Sequence, residues 1–386
     1  MKNIFQTLKD LENQISSLNE SEFITLEEAK DRVLIKDLYA KKNLPSFDNA
    51  ALDGYAFNYA DLNAPLTIKG VIFAGDKKFY EIKKNECYKI MTGAIMPKNA
   101  DTILMLEDEC IQNNKLIIKK IPKQYNAYRY KGEEVKQNEL LLKKGTKLNE
   151  KHIALLAAQG IYKIEVLRKI RIGIFSSGNE LKEPWQECDE KSIYNANALP
   201  LINMFKNAAY LGIIKDDFLS TKKALEQADF DLVLTSGGAS IGEADFMEKA
   251  LKELGFTALF KGLKARPTRP TKLYQKDKKI VLILPGNPMA AYLACFIFAK
   301  KIIALLSGNL ENPLNFYAKM GKDLKLKKGR NNLILGNLKK DVFIPFNDNN
   351  FGSGMIIPLI RSEFLLISDE DTGELKQGDE IRLLKI

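Results

Sequence analysis

The residues of this chain able to do chemistry gather in short loops between apolar segments. Asp231-Leu232-Val233-Leu234 reads as a buried strand, Ser236-Gly237-Gly238-Ala239-Ser240-Ile241-Gly242 as a small-residue loop, and Asp245-Phe246-Met247-Glu248-Lys249-Ala250-Leu251 as the start of a helix. A strand that empties through glycines onto a helix N-terminus offers free backbone N–H groups and a positive dipole end, which suits a phosphate. The same turn also occurs where the backbone is merely tight. Two more loops share the design: Phe175-Ser176-Ser177-Gly178-Asn179-Glu180-Leu181 and Leu284-Pro285-Gly286-Asn287-Pro288. In Lys261-Gly262-Leu263-Lys264-Ala265-Arg266-Pro267-Thr268-Arg269-Pro270-Thr271, prolines fix the backbone beside four cations. Guanidinium forks on rigid backbone suit di- or triphosphates and oxyanions; the alternative is a solvated basic loop. Asp53, Glu180 and Asp245, with Asp231 as a further candidate, supply carboxylates, and carboxylates beside phosphates imply Mg²⁺ between them. Singly, each also reads as a cap or turn residue, as does the pair Asp53-Gly54.

The elements that must position these loops follow from periodicity. From Arg171 onward strands alternate with helices: strands at 172–175, 231–235 and 280–284, and helices at 197–212, 245–254 and from Pro288. That alternation predicts a parallel sheet of βαβ units, with ligands at the C-terminal ends of the strands. Upstream, residues 1–19 read as an amphipathic helix. A second helix opens at Ile24 with Thr25 as N-cap and Glu28 at the capping-box position. Short alternating strands fill 67–118, a helix spans 149–159 and closes at Gly160, and 162–167 is a strand. The tail returns to short strands at 333–335, 342–345, 355–359, 364–367 and 381–384, the pattern of a small β-domain.

Composition narrows the chemistry. A chain of 386 residues, 45% hydrophobic and 28% charged, is a globular protein of roughly two to four domains. The apolar run 289–306 approaches membrane-span length, but Lys300 and Lys301 interrupt it, which predicts a buried core helix. No signal-peptide pattern opens the sequence, and a cytoplasmic protein is expected. The four cysteines form no Cys-x-x-Cys pair, and the one histidine, His152, lies in an apolar segment as a core or cap residue. Structural zinc, disulfide frameworks and most protease chemistries are thereby excluded, leaving carboxylates, Lys/Arg, hydroxyls and oxygen-bound metal. The net charge of +10 comes from scattered lysine pairs without a basic helix or arginine-rich arm, so neither nucleic acid nor membrane is expected as a partner.

Phe47-Asp48-Asn49-Ala50-Ala51-Leu52-Asp53-Gly54-Tyr55-Ala56 resembles the DNSAMDGYA signature of the MoeA family of molybdopterin molybdenumtransferases, related to the gephyrin E domain. In family order follow Ile90-Met91-Thr92-Gly93-Ala94-Ile95-Met96-Pro97 (RIMTGAPLP), Tyr130-Lys131-Gly132-Glu133-Glu134 (RGED), Ser176–Leu181 (STGDEL) and Ile193-Tyr194-Asn195-Ala196-Asn197 (IYDTN). The loops at 236–245 (SGGVSVGEAD) and 284–288 (LPGNP) complete the series over nearly the whole chain. The resemblance implies a multidomain α/β protein with four domains. These are a split helical and β domain (1–40 and 128–168), a β-rich insertion (41–127), an α/β molybdopterin-binding domain like MogA (169–310) and a small C-terminal β-barrel (311–386).

It further implies a homodimer with a composite active site, in which the α/β domain of one subunit meets the β-rich insertion of the other. The implied reaction inserts molybdate into adenylylated molybdopterin with Mg²⁺ and releases AMP, the substrate coming from a MogA-type adenylyltransferase. Carried over by motif, Asp53, Thr92, Glu180 and Asp245 are catalytic, with Asp53, Glu180 and Asp245 as Mg²⁺ ligands. Ser236, Gly237, Gly238, Ser240, Gly286, Asn287, Pro288 and Glu134 bind substrate, while Arg266, Arg269, Arg330 and Ser353 face molybdate or phosphate. The family's KPGKP appears as Arg266-Pro267-Thr268-Arg269-Pro270, Asn179 and Glu134 stand for aspartates, Ala50 and Ala290 for serines, and no second arginine follows Arg330. The rival readings are a molybdopterin-binding scaffold without catalysis and an adenylyltransferase or nucleotide pyrophosphatase of the MogA kind.

Overall fold

The structure is a computed structural model that describes residues 1–238, 246–309 and 315–386. It falls into two compact units: Met1–Glu22 with Gly145–Lys147 and Val166–Ile386, and Phe23–Lys144 with Leu148–Glu165.

The first unit opens with α1 (Ile4–Gln14), capped by Asn3, whose side chain accepts from the Gln6 N–H. Ile4 and Leu11 from its apolar face, with Ile15 and Leu18 beyond its end, are buried in the main core. Each such side chain contributes on the order of 1.5–3 kcal/mol by leaving water. The α/β layer then runs β1 (Ile172–Ser177), α2 (Ala198–Met204), β2 (Ala208–Ile214), α3 (Phe218–Gln227), β3 (Leu232–Ser236), α4 (Phe246–Glu253), β4 (Thr257–Lys261), β5 (Lys272–Lys276), β6 (Lys279–Leu284) and α5 (Pro288–Leu306). The sheet order is β2-β1-β3-β6-β5-β4. The expected parallel sheet exists as β2, β1, β3 and β6, and an antiparallel pair, β5 and β4, extends its edge.

The predicted helix 197–212 is only α2. Phe205 turns extended, and Tyr210, Ile213 and Ile214, residues that favour a pleated surface, continue as β2. The helix α5 is the one described helix long and apolar enough to cross a membrane, yet Met289, Leu293, Phe298 and Ile302 lie buried in the core, as the interrupting lysines suggested.

Beyond it, β7 (Phe316–Met320), β8 (Asn331–Lys339), β9 (Val342–Pro345), β10 (Phe364–Ile367) and β11 (Glu380–Lys385) close on themselves. β7 pairs β9 and β11, β8 pairs β9 and β10, and β10 pairs β11, which leaves no free edge and makes the expected small barrel. The predicted strand 355–359 is instead a short helix, Ile357–Ile360, because Pro358 sits in its first turn, where the fixed φ favours a helix and the missing N–H costs nothing.

The second unit holds a six-stranded sheet in the order Thr102–Met105, Gly54–Phe57, Glu86–Ile90, Leu66–Ile72, Lys115–Leu116, Ile111–Gln112. The helix predicted from Ile24 does not form. Ser21–Thr25 is a strand, only Leu26–Glu28 makes a helical turn, Thr25 gives no side-chain cap, and Asp31 takes a left-handed φ of 67°. Glu150–Ala158 is helical as expected. His152 is its cap partner: Asn149 accepts from the His152 N–H, and the ring Nδ1 accepts from the Asn149 N–H.

Candidate active site

In the first unit, Ser176 pairs with Ser236 and Ser236 with Leu284, so β1, β3 and β6 end level and their loops leave one edge. The strand order reverses between β1 and β3, and that switch point opens a crevice for a ligand. The crevice can exist only with glycine at 237: its φ is 97°, and a Cβ there would stand 2.3 Å from the Ser177 carbonyl oxygen. The Gly237 N–H donates to the Leu284 carbonyl at 3.3 Å, tying the second loop to the third.

The first loop is held by Asp216, a residue that sequence reasoning missed. Ser177 Oγ donates to Asp216 Oδ1 at 3.0 Å and the Asn179 N–H to Oδ2 at 3.1 Å, while the Asp216 N–H returns a bond to Asn179 Oδ1. The available signal was the Asp216-Asp217 pair after an apolar strand: Asp217 caps α3, which leaves Asp216 for the loop. Glu180 is exposed, with its carboxylate folded over Gly178, where a Cβ would meet both oxygens at 2.8 Å. Gly286 is anchored through its carbonyl, which accepts from Asn197 Nδ2 at 2.7 Å. Ser240 and Asp245 lie outside the described residues.

The cationic part is assembled by a strand pairing. Ala265–Arg266 runs parallel to the start of β8, with Arg266 opposite Asn332. Arg266 and Arg330 thereby line one cleft with Pro267, Met289, Asn349 and Ser353. Burial lowers the pKa of Arg330, and the neighbouring Arg266 charge lowers it further. Among the described residues no carboxylate pairs with either guanidinium; Arg330 Nε donates only to Asn332 Oδ1, at 3.2 Å. Two un-neutralised forks on one cleft attract an oxyanion. Asn287 Nδ2 donates to Ser353 Oγ at 2.7 Å, joining the third loop to this cleft, and Pro288 starts α5 beside it. Arg269 is exposed and does not line the cleft; its carbonyl accepts from the Leu263 N–H.

In the second unit, Asp53 Oδ1 accepts from both the N–H and the hydroxyl of Thr92, each at 2.7 Å. Those two bonds, backbone first, hold the carboxyl below its ordinary value of 3.8. Gly54 is required next to it, since a Cβ would lie 2.1 Å from the Leu104 carbonyl oxygen. Glu134 is exposed, its N–H bonded to the Leu44 carbonyl at 3.0 Å. Among the described residues no three His, Cys, Asp or Glu side chains gather into a metal-holding group. Asp53 and Glu180 do keep carboxylate oxygens free, the hard donors that Mg²⁺ takes.

Comparison with known proteins gives the family. Residues 3–160 match the family model of the MoeA N-terminal region (domains I and II), and residues 173–304 that of a probable molybdopterin binding domain. The molybdopterin molybdenumtransferase of Haemophilus influenzae is 29% identical over 397 residues, spanning 99% of this chain and 98% of that protein. That of Bacillus subtilis is 30% identical over 303 residues, 74% of this chain and 70% of that protein. The crystal structure of a molybdopterin biosynthesis MoeA protein from Pyrococcus horikoshii superposes with a TM-score of 0.87 at 26% identity, covering 100% of both chains. With glycine-walled loops, a paired-arginine cleft and end-to-end likeness to these proteins, the chain belongs to the MoeA family.

Proposed function

We propose that this protein is a molybdopterin molybdenumtransferase of molybdenum cofactor biosynthesis that takes adenylylated molybdopterin and molybdate and releases AMP. The observation that carries the reading is the cleft where Arg266 and Arg330 stand without a carboxylate partner among the described residues, joined through Asn287 and Ser353 to the glycine loops. The loops at Ser236, Gly237 and Gly238 bind the substrate's phosphates, with Gly286, Asn287 and Pro288 forming the third wall. Arg266 and Arg330 hold the oxygens of molybdate, and Ser353 sets the rim.

Catalysis in this reading is positioning and electrostatics. Asp53 and Glu180 would hold Mg²⁺, which supplies charge neutralisation at the pyrophosphate. Water breaks the adenylate linkage, and the sulfurs that receive molybdenum belong to the substrate. That agrees with the thiols of Cys87 and Cys295, both buried and pushed well above their usual range. We further infer a cytoplasmic homodimer in which Asp53 and Thr92 of one copy serve the α/β loops of the other, and delivery of the substrate by an adenylyltransferase. The test is incubation with adenylylated molybdopterin, Mg²⁺ and either molybdate or tungstate, following AMP. Oxyanion-dependent AMP release is expected; tight pterin binding without AMP release, or ATP consumption without molybdate, overturns the assignment.

A further inference from the structure

Behind the crevice lies a buried hydrogen-bonded chain that the reaction as described does not use. Glu183 Oε1 accepts from the Tyr210 hydroxyl; Asn195 Nδ2 donates to that hydroxyl's oxygen at 2.9 Å; Ser176 Oγ donates to Asn195 Oδ1 at 3.0 Å; and Ser236 Oγ reaches Ser176 Oγ at 3.5 Å. Ser176, Asn195 and Ser236 are at most 2% exposed, so water cannot stand in for a missing member.

The chain can run in only one direction. A carboxylate offers no hydrogen, so Tyr210 must donate its single proton to Glu183 and accept from the Asn195 amide NH₂. Asn195 Oδ1 then faces the other way, where it also takes the Ala198 N–H at 3.3 Å, at the start of α2. A flipped amide would press its NH₂ on that N–H and its oxygen on the oxygen of Tyr210. Ser176 is therefore committed to donating to Asn195, and Ser236 to donating to Ser176. Burial, then the Glu183 hydrogen bond, raise the Tyr210 pKa and keep its proton in place. Two residues further on, Asn197 holds the Gly286 carbonyl, so the segment 195–197 touches the first and third loops directly and reaches the second through Ser176.

We propose that Glu183 and Tyr210 are positioning residues for the substrate site, which through Asn195 fix the hydroxyls of Ser176 and Ser236 and hold the three loops in register. The inference rests on the reading of those loops as the phosphate-binding wall. It assigns both residues to substrate affinity rather than turnover, since neither touches the crevice except through others.

The test uses the full-length protein with adenylylated molybdopterin, measuring KM, kcat and thermal midpoint for Tyr210→Phe, Glu183→Ala and Glu183→Gln. Tyr210→Phe and Glu183→Ala should each raise KM about tenfold with kcat within about twofold, the size expected for one buried hydrogen bond. Glu183→Gln, whose amide oxygen still accepts from Tyr210, should restore KM to within about twofold of the parent. An unmoved KM in Tyr210→Phe, or a midpoint and kcat that fall together at constant KM, overturns the proposal. If the parent protein neither binds nor turns over the substrate, the functional reading fails and this inference with it. A parent that is active, with no change in the Tyr210→Phe KM, defeats the inference alone.

Discussion

The Asp53 corner and the loops at the edge of the α/β sheet are both polar sites, but they are held by opposite means. At the corner, backbone does the holding: the Gly93 N–H donates to the Ala50 carbonyl at 2.8 Å, the Met96 N–H to that of Asp48 at 3.1 Å, and the Asp53 carboxylate stands exposed. At the sheet edge, side chains from distant segments interlock: Ser176, Asn195 and Ser236 are buried and Tyr210 half-buried. A group wired by backbone can be changed without moving its neighbours. One wired by buried side chains carries its neighbours with it.

The largest effect expected is chemical and falls at the corner. Asp53→Asn keeps an oxygen that accepts from Thr92 but loses the charge, so molybdenum transfer should drop at least ~100-fold, the scale for removing a central electrostatic group. The thermal midpoint should not move. A variant with parental turnover would show that Asp53 is only a turn residue. The same contrast has a pH form. The depressed carboxyl contributes its stabilisation above 3.8 and loses it progressively as pH falls from there through the lower folded value. The Asp53 carboxyl carbon, followed by NMR, should titrate with a midpoint below 3.8; a midpoint at or above it breaks the backbone-wiring account.

At the sheet edge the next effect is structural. Gly237→Ala places a Cβ 2.3 Å from a backbone oxygen at a φ of 97°, and neither the Ser177 carbonyl nor β3 can yield cheaply. A loss of about 2–3 kcal/mol in denaturant unfolding is expected, with substrate binding lost alongside it. Parental stability with only weakened binding would mean that this edge tolerates single changes as the corner does.

Much of this architecture was legible because its signals are local. The strands at 342–345 and 364–367 fall where alternation put them, and Asn149 and Gly160 bound their helix as expected. The errors came where a neighbour decided the outcome. β2 is a strand because it adds to β1, though its residues follow a helical start; β4 and β5 flank the basic stretch Lys261–Thr271 and carry no strand expectation from sequence. In the candidate site, the loops could be read from glycine spacing. Asp216 and Glu183 could not, because their partners lie 37 to 39 and 27 residues away in sequence. The arginines show the same limit: Arg266 meets Arg330 through the pairing of Ala265–Arg266 with β8, which no local pattern announces.

That cleft lies between the two extremes, and its variants should too. Arg330→Lys replaces a planar fork with a point charge, so the molybdate concentration for half-maximal transfer should rise about tenfold. Arg266→Lys should behave alike, because the two cations share the cleft, with no carboxylate lining it among the described residues. If only one of the pair matters, the oxyanion is held by a single fork.

The smallest effect is expected at Ser353. Its hydroxyl accepts from Asn287 in a part of the cleft that water reaches, so Ser353→Ala exchanges a protein partner for solvent. Net worth for such a bond is about 0.5–1 kcal/mol, which predicts a rise of about threefold in the half-maximal molybdate concentration and an unchanged thermal midpoint. The value of this small variant is diagnostic. If Asn287 serves the oxyanion cleft, the change appears in the molybdate dependence and leaves the KM for the pterin substrate alone. If Asn287 serves the glycine loops, the pattern reverses, and the third loop belongs with the buried network behind Ser236.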